Sequence, residues 1–334
     1  MGICPSLQVH GTTMQKITHD KYLGDILSSD GKNDLNIESR ISKGLGIVTQ
    51  ITNMLEKVSF GKHYFKMARL FRESNFLNGI LTNAESWHGL SPTQVNQLES
   101  VDQLLMRIFF DTTVSTPVEA LYLELGVISI GTIIKARRIN FLHYLVSSSE
   151  NEMVYNVFQA QWNRPVKNDW TLYVKQDLKD FQMECSLDNV KAKSAESFKN
   201  LVKRKANEYE FRRLMSLKQS HTKLDNLCYT KLEMQEYLKL EKIDKVGAQT
   251  LFRYRTRMAA FGENFRGKSG PVPCPLCGNH LDNQLMGFDN CQILRENVKI
   301  EGVYKTIFSK DVPSLVVITM IKIDEERKKL LNNK

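Results

Sequence analysis

The sequence predicts a mainly α chain, with a small N-terminal antiparallel β segment and a small C-terminal zinc-knuckle-like module. Three observations predict it. Apolar residues alternate before Ser28 and then recur every three to four residues after Gly31, the periods of strand and helix respectively. A Ser-Pro-Thr-Gln helix start stands at Ser91–Gln94. Cys274-Pro-Leu-Cys277-Gly278 near the C-terminus has the spacing of a metal-binding turn.

Composition bounds the possibilities. The 334 residues are 42% hydrophobic and 25% charged, a balance that fits folded domains with real cores. Lys and Arg outnumber Asp and Glu by 46 to 37, a net charge of +9, which favours polyanionic partners. Six cysteines, three of them near the C-terminus, do not make a secreted disulfide framework, so a reducing intracellular compartment, cytoplasmic or nuclear, is expected. No apolar run reaches the ~18 residues of a membrane span. Met1-Gly2-Ile3-Cys4-Pro5-Ser6 formally fits an acylation pattern, but such short patterns arise by chance.

In order along the chain, Leu7 and Val9 alternate, His10-Gly11-Thr12 can turn, and Met14 and Ile17 begin a return. Tyr22–Leu27 reads as a third extended segment, stopped by Ser28-Ser29-Asp30-Gly31. Ile37, Ile41, Leu45, Val48, Ile51 and Leu55 then mark one face of a long helix capped by Asn33 or Asp34. Gly44 and Gly46 weaken that helix by up to ~1 kcal/mol each, which predicts a closely packed neighbour. A second helix is expected from Tyr64 to Leu81. Ser91 as N-cap, Pro92 at the first helical position and Gln94 reaching back define the next, with Leu98, Val101, Leu105 and Ile108 as its stripe. Thr116-Pro117 opens another helix. Ile133 to Leu145 forms a further one, carrying Lys135, Arg137, Arg138 and His143.

The chain from Asn163 to about Lys245 is more polar. Phe198, Leu201, Leu214 and Leu217 form a sparse stripe, while Lys199, Lys203, Arg204, Lys205, Arg212, Arg213 and Lys218 occupy the other faces, with Glu208 and Glu210 interleaved. Such a face is either solvated or a phosphate contact. Arg253, Arg255, Arg257, Arg266 and Lys268 precede the cysteine motif as a basic strip. The predicted division is 1–31 (β segment), 32–160 (helical domain), 161–268 (basic helical region) and 269–334 (knuckle-like tail).

Two thiolates at C-x2-C spacing close one edge of a tetrahedral zinc site, and Gly278 permits the turn that brings backbone N–H groups toward the sulfurs. His280 and Cys291 supply the other corners, giving C-x2-C-x2-H-x10-C and one Zn2+. If His280 points away, Asp289 or water fills the corner. No phosphate-binding glycine loop, dinucleotide fingerprint, zinc-protease helix or nucleophile elbow is present in the sequence. The seven histidines are scattered. Trp87, Trp162 and Trp170 are expected as packing anchors rather than base-stacking platforms.

A family resemblance runs through these segments. Lys21-Tyr22-Leu23-Gly24 ahead of Ser29-Asp30-Gly31 is similar to the stretch just after the palm of LINE-type (non-LTR) retrotransposon reverse transcriptases. Asn78–Trp87, Leu98-Glu99 and Met106-Arg107 resemble the thumb that follows. Ser115-Thr116-Pro117, Leu121–Gly126 and Lys135–Asn140 continue the series in order, and Cys274–Cys277 resembles the C-terminal knuckle. The resemblance covers most of residues 7–296. It implies a thumb-like bundle following a missing palm and binding of RNA or an RNA/DNA duplex, for which the basic residues Arg137, Arg138, Lys203, Arg204, Lys205 and the basic strip are the candidate contacts by charge. Two departures matter. The family holds its metal ions with paired palm aspartates, and this chain has no adjacent Asp pair, Phe109-Phe110-Asp111-Thr112 being the nearest look-alike. The commoner knuckle also places His about five residues before the last Cys, where Met286 stands. The expected function is therefore non-catalytic nucleic-acid binding by a fragment of an RNA-directed DNA polymerase polyprotein. The alternative is a zinc-stapled interaction protein or a degenerate element without activity.

Overall fold

The computed structural model describes residues 8–9, 12–13, 17–184, 186–241, 243–259, 261, 273–283, 291–297, 307–308 and 312–332. The chain is mainly helical, with its strands at the N-terminus. Strand β1 (Gln8–Val9) pairs antiparallel with β2 (Thr12–Thr13), and β3 (His19–Tyr22) with β4 (Asp25–Ser28), as two separate ladders. Tyr22–Leu27 is thus not one extended segment. Leu23 and Gly24 take φ of +47° and +93°, the left-handed pair that a tight hairpin turn demands. Among the described residues after Ser28, β pairing is confined to the isolated bridge between Pro273 and Leu281.

One carboxylate fastens the second hairpin to the helices. Asp25 accepts from Arg40 Nη2 at 2.6 Å, Asn83 Nδ2 at 2.9 Å, Asn36 Nδ2 at 3.1 Å and the Trp87 indole N–H at 3.4 Å. Burial pushes its carboxyl up, but these hydrogen bonds and the Arg40 charge outweigh it and hold the group below its usual range.

Helix α1 (Asp34–Lys57) packs along α4 (Pro92–Phe110). Asn33 occupies the N-cap position of α1, but its side chain donates to His88 O at 2.6 Å instead of capping. A Cβ on Gly44 would sit 3.1 Å from Ile80 and 3.2 Å from Val101, whereas one on Gly46 would meet nothing within 4 Å. Close packing therefore explains the first glycine and not the second. The expected helix from Tyr64 is continuous to Ile80 but changes winding: α2 (Tyr64–Phe71), a π-helical turn (Arg72–Leu77) and α3 (Asn78–Ile80). Arg72 in that turn is 1% exposed and grips the 0% exposed Asp102 of α4 through two bonds of 2.7 and 2.6 Å. The α4 start is a complete capping box between Ser91 and Gln94.

Helices α5 (Val118–Leu125), α6 (Ile130–Ser147), α7 (Met153–Asn163), α8 (Trp170–Asp180), α9 (Leu187–Lys191), α10 (Ala195–Lys218) and α11 (Lys245–Arg255) follow. The chain closes with a short helix, Gln292–Asn297, and a C-terminal helix, Ser314–Asn332, that packs on α11. The described residues of 219–244, expected within a helical region, form turns and loops with two short 3-10 segments, Thr222–Leu224 and Glu236–Leu238. Leu224, Leu227, Tyr229, Met234, Tyr237 and Leu238 from this stretch are buried, but the three-residue steps are local and interrupted, so no helical period runs through it. Gly126 (φ +66°) makes room for it: a Cβ would lie 2.0 Å from the Glu233 carbonyl carbon and the Met234 nitrogen.

Two apolar cores result. One draws on α1, α4, α5, the start of α6, the end of α10, α11 and the C-terminal helix. The other gathers Ile139, Leu142, Phe158, Val174, Leu178, Phe198 and Val202. Helices α6 and α10 run side by side through both, so packing crosses residue 160 without a break. The buried stripe of α10 is Phe198, Val202, Ala206, Glu210 and Leu214, whereas Leu217 is 40% exposed. Glu210, expected on a solvated face, is 0% exposed. It accepts from Ser129 N (3.1 Å), Thr132 Oγ1 (2.6 Å) and Arg213 (2.8 Å) where the N-terminus of α6 meets α10, a site where a helix end stabilises a carboxylate.

Candidate metal centre and basic surface

The cysteine motif folds as a knuckle. Pro275 and Leu276 turn between the two cysteines, Gly278 N donates to Cys274 O at 2.8 Å, and Gly278 takes φ +70°. Cys274 N donates to His280 O at 2.6 Å, and the Pro273–Leu281 bridge extends that pairing. Cys291 arrives at the start of the short helix Gln292–Asn297. The sulfurs of Cys274, Cys277 and Cys291 all lie within 4.8 Å of one another, and Cys274 Sγ is 3.9 Å from Cys291 Sγ. At ~2.3 Å per Zn–S bond a tetrahedral edge is about 3.8 Å, so the thiols are spaced for a shared metal ion. Burial pushes the Cys277 thiol up, but backbone N–H bonds from Asn279 and His280 and contacts with the other two thiols hold it below its ordinary value. Donors aimed at a sulfur favour the thiolate, the form that ligates.

His280 is not part of the cluster, contrary to the expected C-x2-C-x2-H-x10-C set. Its backbone forms the return arm of the loop through the Cys274 bond, and its side chain is exposed. Asp289 and Met286 lie outside the described residues.

The cluster belongs to the larger core. Cys274, Leu276 and Cys291 are 4%, 5% and 1% exposed and join the apolar cluster that holds Phe252, Phe261 and Met320. Asp282, just beyond the loop, receives two bonds of 2.6 and 2.8 Å from Arg327 of the C-terminal helix. Tyr254 of α11 donates to Asp324 of the same helix at 2.7 Å.

Several expected phosphate contacts are committed elsewhere. Arg138 is buried, bound to Asp177 through bonds of 2.7 and 3.1 Å and to Trp87 O at 3.4 Å. Arg255 is buried against Glu124 at 3.2 Å and Ile307 O at 2.8 Å, over the Tyr237 ring. Neither guanidinium can reach an external phosphate, because each neutralises a carboxylate inside the protein. Arg137 is half-buried and donates to Leu81 O. Arg253 is 21% exposed and pairs with Asp111 at 3.1 Å and Asp324 at 3.8 Å. Arg257 follows α11 at φ +52° and is half-buried. Arg266 and Lys268 lie outside the described residues.

On α10 the expectation fares differently. Lys203 and Arg204 are exposed, with Glu208 3.9 Å from Arg204 and 3.2 Å from Lys205. Sequence reasoning missed Lys231, which projects from the turn beside this helix and is 68% exposed. A lone lysine in an aperiodic stretch carries no signal of its neighbours. The tryptophans act as anchors: Trp87 is 3% exposed, Trp170 donates to Glu85 O at 2.7 Å, and Lys175 lies over Trp162. Among the described residues no helix is long and apolar enough to cross a membrane. No protein-family model, no curated protein and no solved structure matches the chain.

Proposed function

We propose that this chain is a non-catalytic nucleic-acid-binding unit whose C-terminal segment is closed by one zinc ion, in keeping with the thumb-and-knuckle segments of LINE-type reverse transcriptases that its sequence resembles. The zinc part is carried by the convergence of Cys274, Cys277 and Cys291 beneath backbone donors on Cys277, and the nucleic-acid part is supported by the sequence resemblance and the net charge of +9. These three residues would hold the ion, and a fourth ligand from water or from outside the described residues would complete the tetrahedron. The ion supplies cross-linking of the chain, not reaction chemistry. It would fix the loop that Arg327 clamps, and with it the C-terminal helix against α11. Nucleic acid would be gripped on α10, where Lys203 and Arg204 stay exposed. Nucleotide addition is not expected, because the sequence lacks the paired carboxylates that position two metal ions.

Zinc per chain and RNA affinity against salt test the proposal together. Wild type and His280→Ala should each carry one zinc, while Cys274→Ser and Cys291→Ser should lose it. Equal zinc in wild type and Cys274→Ser would remove the metal centre. Affinity for mixed-sequence RNA should fall steeply with salt, as counterion release requires. The burial of the thiol cluster in the main core favours a second reading, a zinc staple with no nucleic-acid role. Stoichiometric zinc with no salt-dependent RNA binding would select it.

A further inference from the structure

Resting on that nucleic-acid reading, we infer that the groove between α10 and the turn at residues 230–232 is the seat of a single-stranded nucleic acid, holding its sugar-phosphate backbone on Lys203, Arg204 and Lys231 and one base against Phe211 and Leu232. The groove encloses about 440 Å³, within the ~300–1,000 Å³ of clefts that hold small ligands. Its walls carry three cations and one acid, Glu208, so it is complementary to an anion. Two of the cations are largely exposed, Arg204 at 67% and Lys231 at 68%. Each has a carboxylate neighbour on the solvent-facing side: Glu208 stands 3.9 Å from Arg204, and Glu233 pairs with Lys231 at 2.9 Å. Exposed pairs of this kind contribute little, so a phosphate competes for both cations readily.

Two further features select a single strand. Asn200 and Asn207 flank Lys203 along one line of α10, at the helical spacing that places residues on one face. Their amides both donate and accept, which suits sugar hydroxyls and base edges. Phe211 and Leu232 are half-buried, packed against the larger core, and give the groove an apolar floor. A basic groove with an aromatic floor is how single strands are held with little sequence preference. A duplex keeps its bases stacked inside and has none to lay on that floor. An acidic peptide matches the cations but has no flat ring to offer.

The test is binding of a short labelled single-stranded RNA of mixed sequence to the full chain, between about 50 and 200 mM salt. Lys203→Glu with Arg204→Glu should weaken binding at least tenfold and lower the salt slope by about 1.4, the value for two single-strand phosphates. Lys231→Ala should lower the slope by about 0.7. Phe211→Leu, which keeps the core contact, should cost about tenfold in affinity with the slope unchanged, because stacking is not ionic. A charge-matched control, Lys43→Glu with Lys57→Glu on exposed positions of α1, should change affinity by less than threefold. Steep binding that falls equally in the groove variants and the control would overturn the groove while leaving nucleic-acid binding intact. No salt-dependent binding by wild type would remove both. Equal affinity for duplex RNA or poly-glutamate, weakened by the same groove variants, would overturn the single-strand assignment.

Discussion

Arg72 and Asp102 are the most completely buried ion pair of the described residues, and their surroundings leave little slack. Arg72 also donates to Ile128 O at 2.9 Å, and Tyr122 donates to Asp102 at 3.2 Å. Burial alone would depress the guanidinium, but the Asp102 charge and its hydrogen bonds hold the Arg72 pKa above the ordinary value. Removing one partner leaves a charge stranded in the core, so Asp102→Ala should destabilise the protein by about 3–5 kcal/mol in urea unfolding. Replacing both, Arg72→Met with Asp102→Leu, should cost less than the single change, since no charge is then buried. Asp25 gives the opposite kind of test. Its folded pKa lies below that of the unfolded chain, so its contribution is complete above the unfolded value and is lost as pH falls through the folded one. The wild-type urea midpoint should therefore drop as pH falls below the unfolded carboxyl value of 3.8. Asp25→Asn should flatten that part of the profile, and an unchanged profile would detach the carboxylate from hairpin anchoring.

Helix α1 separates two glycines that sequence alone treats alike. Gly46→Ala adds a methyl to open space and should stabilise by up to ~1 kcal/mol. Gly44→Ala gains the same propensity but presses on Ile80 and Val101, so it should be neutral or destabilising. Equal gains from both in thermal unfolding would contradict the close crossing of α1. What the sequence discloses follows the range of the interaction. The Ser91–Gln94 cap is local, and its letters alone predict the box. Cys274-Pro-Leu-Cys277-Gly278 is equally local, and the turn forms as its spacing implies. Glu210 is different, because its partners Ser129 and Thr132 lie far away in the chain and nothing around Glu210 announces them. The same holds for Arg138 and Arg255, whose carboxylates on α8 and α5 turn apparent surface cations into buried ones. His280 failed for a subtler reason: the backbone bond that builds the loop fixes where its side chain can go.

The C-terminal helix is tied to the knuckle by direct contacts. Arg327 holds Asp282, Asp324 holds Tyr254, and the thiol cluster lies in the same apolar core. If zinc is bound, chelation should lower the unfolding free energy by about 3 kcal/mol, the linkage for a ligand about a hundredfold above its dissociation constant. Limited proteolysis should then cut first within residues 273–332. Unchanged stability after complete metal removal would sever the helix from the knuckle. The two cores carry a different consequence, one that concerns time. Helix α6 anchors one core through Ile130 and Ile134 and the other through Ile139 and Leu142, and α10 does the same on either side of Glu210. Each helix is therefore shared between two units that can open separately. Amide hydrogen exchange should divide α6 between Ile134 and Ile139: the first turns should follow α4 and α5, and the later turns α8. Under mild denaturant each continuous helix would then keep two clocks, parting on α6 between Ile134 and Ile139 and on α10 between Ala206 and Leu214.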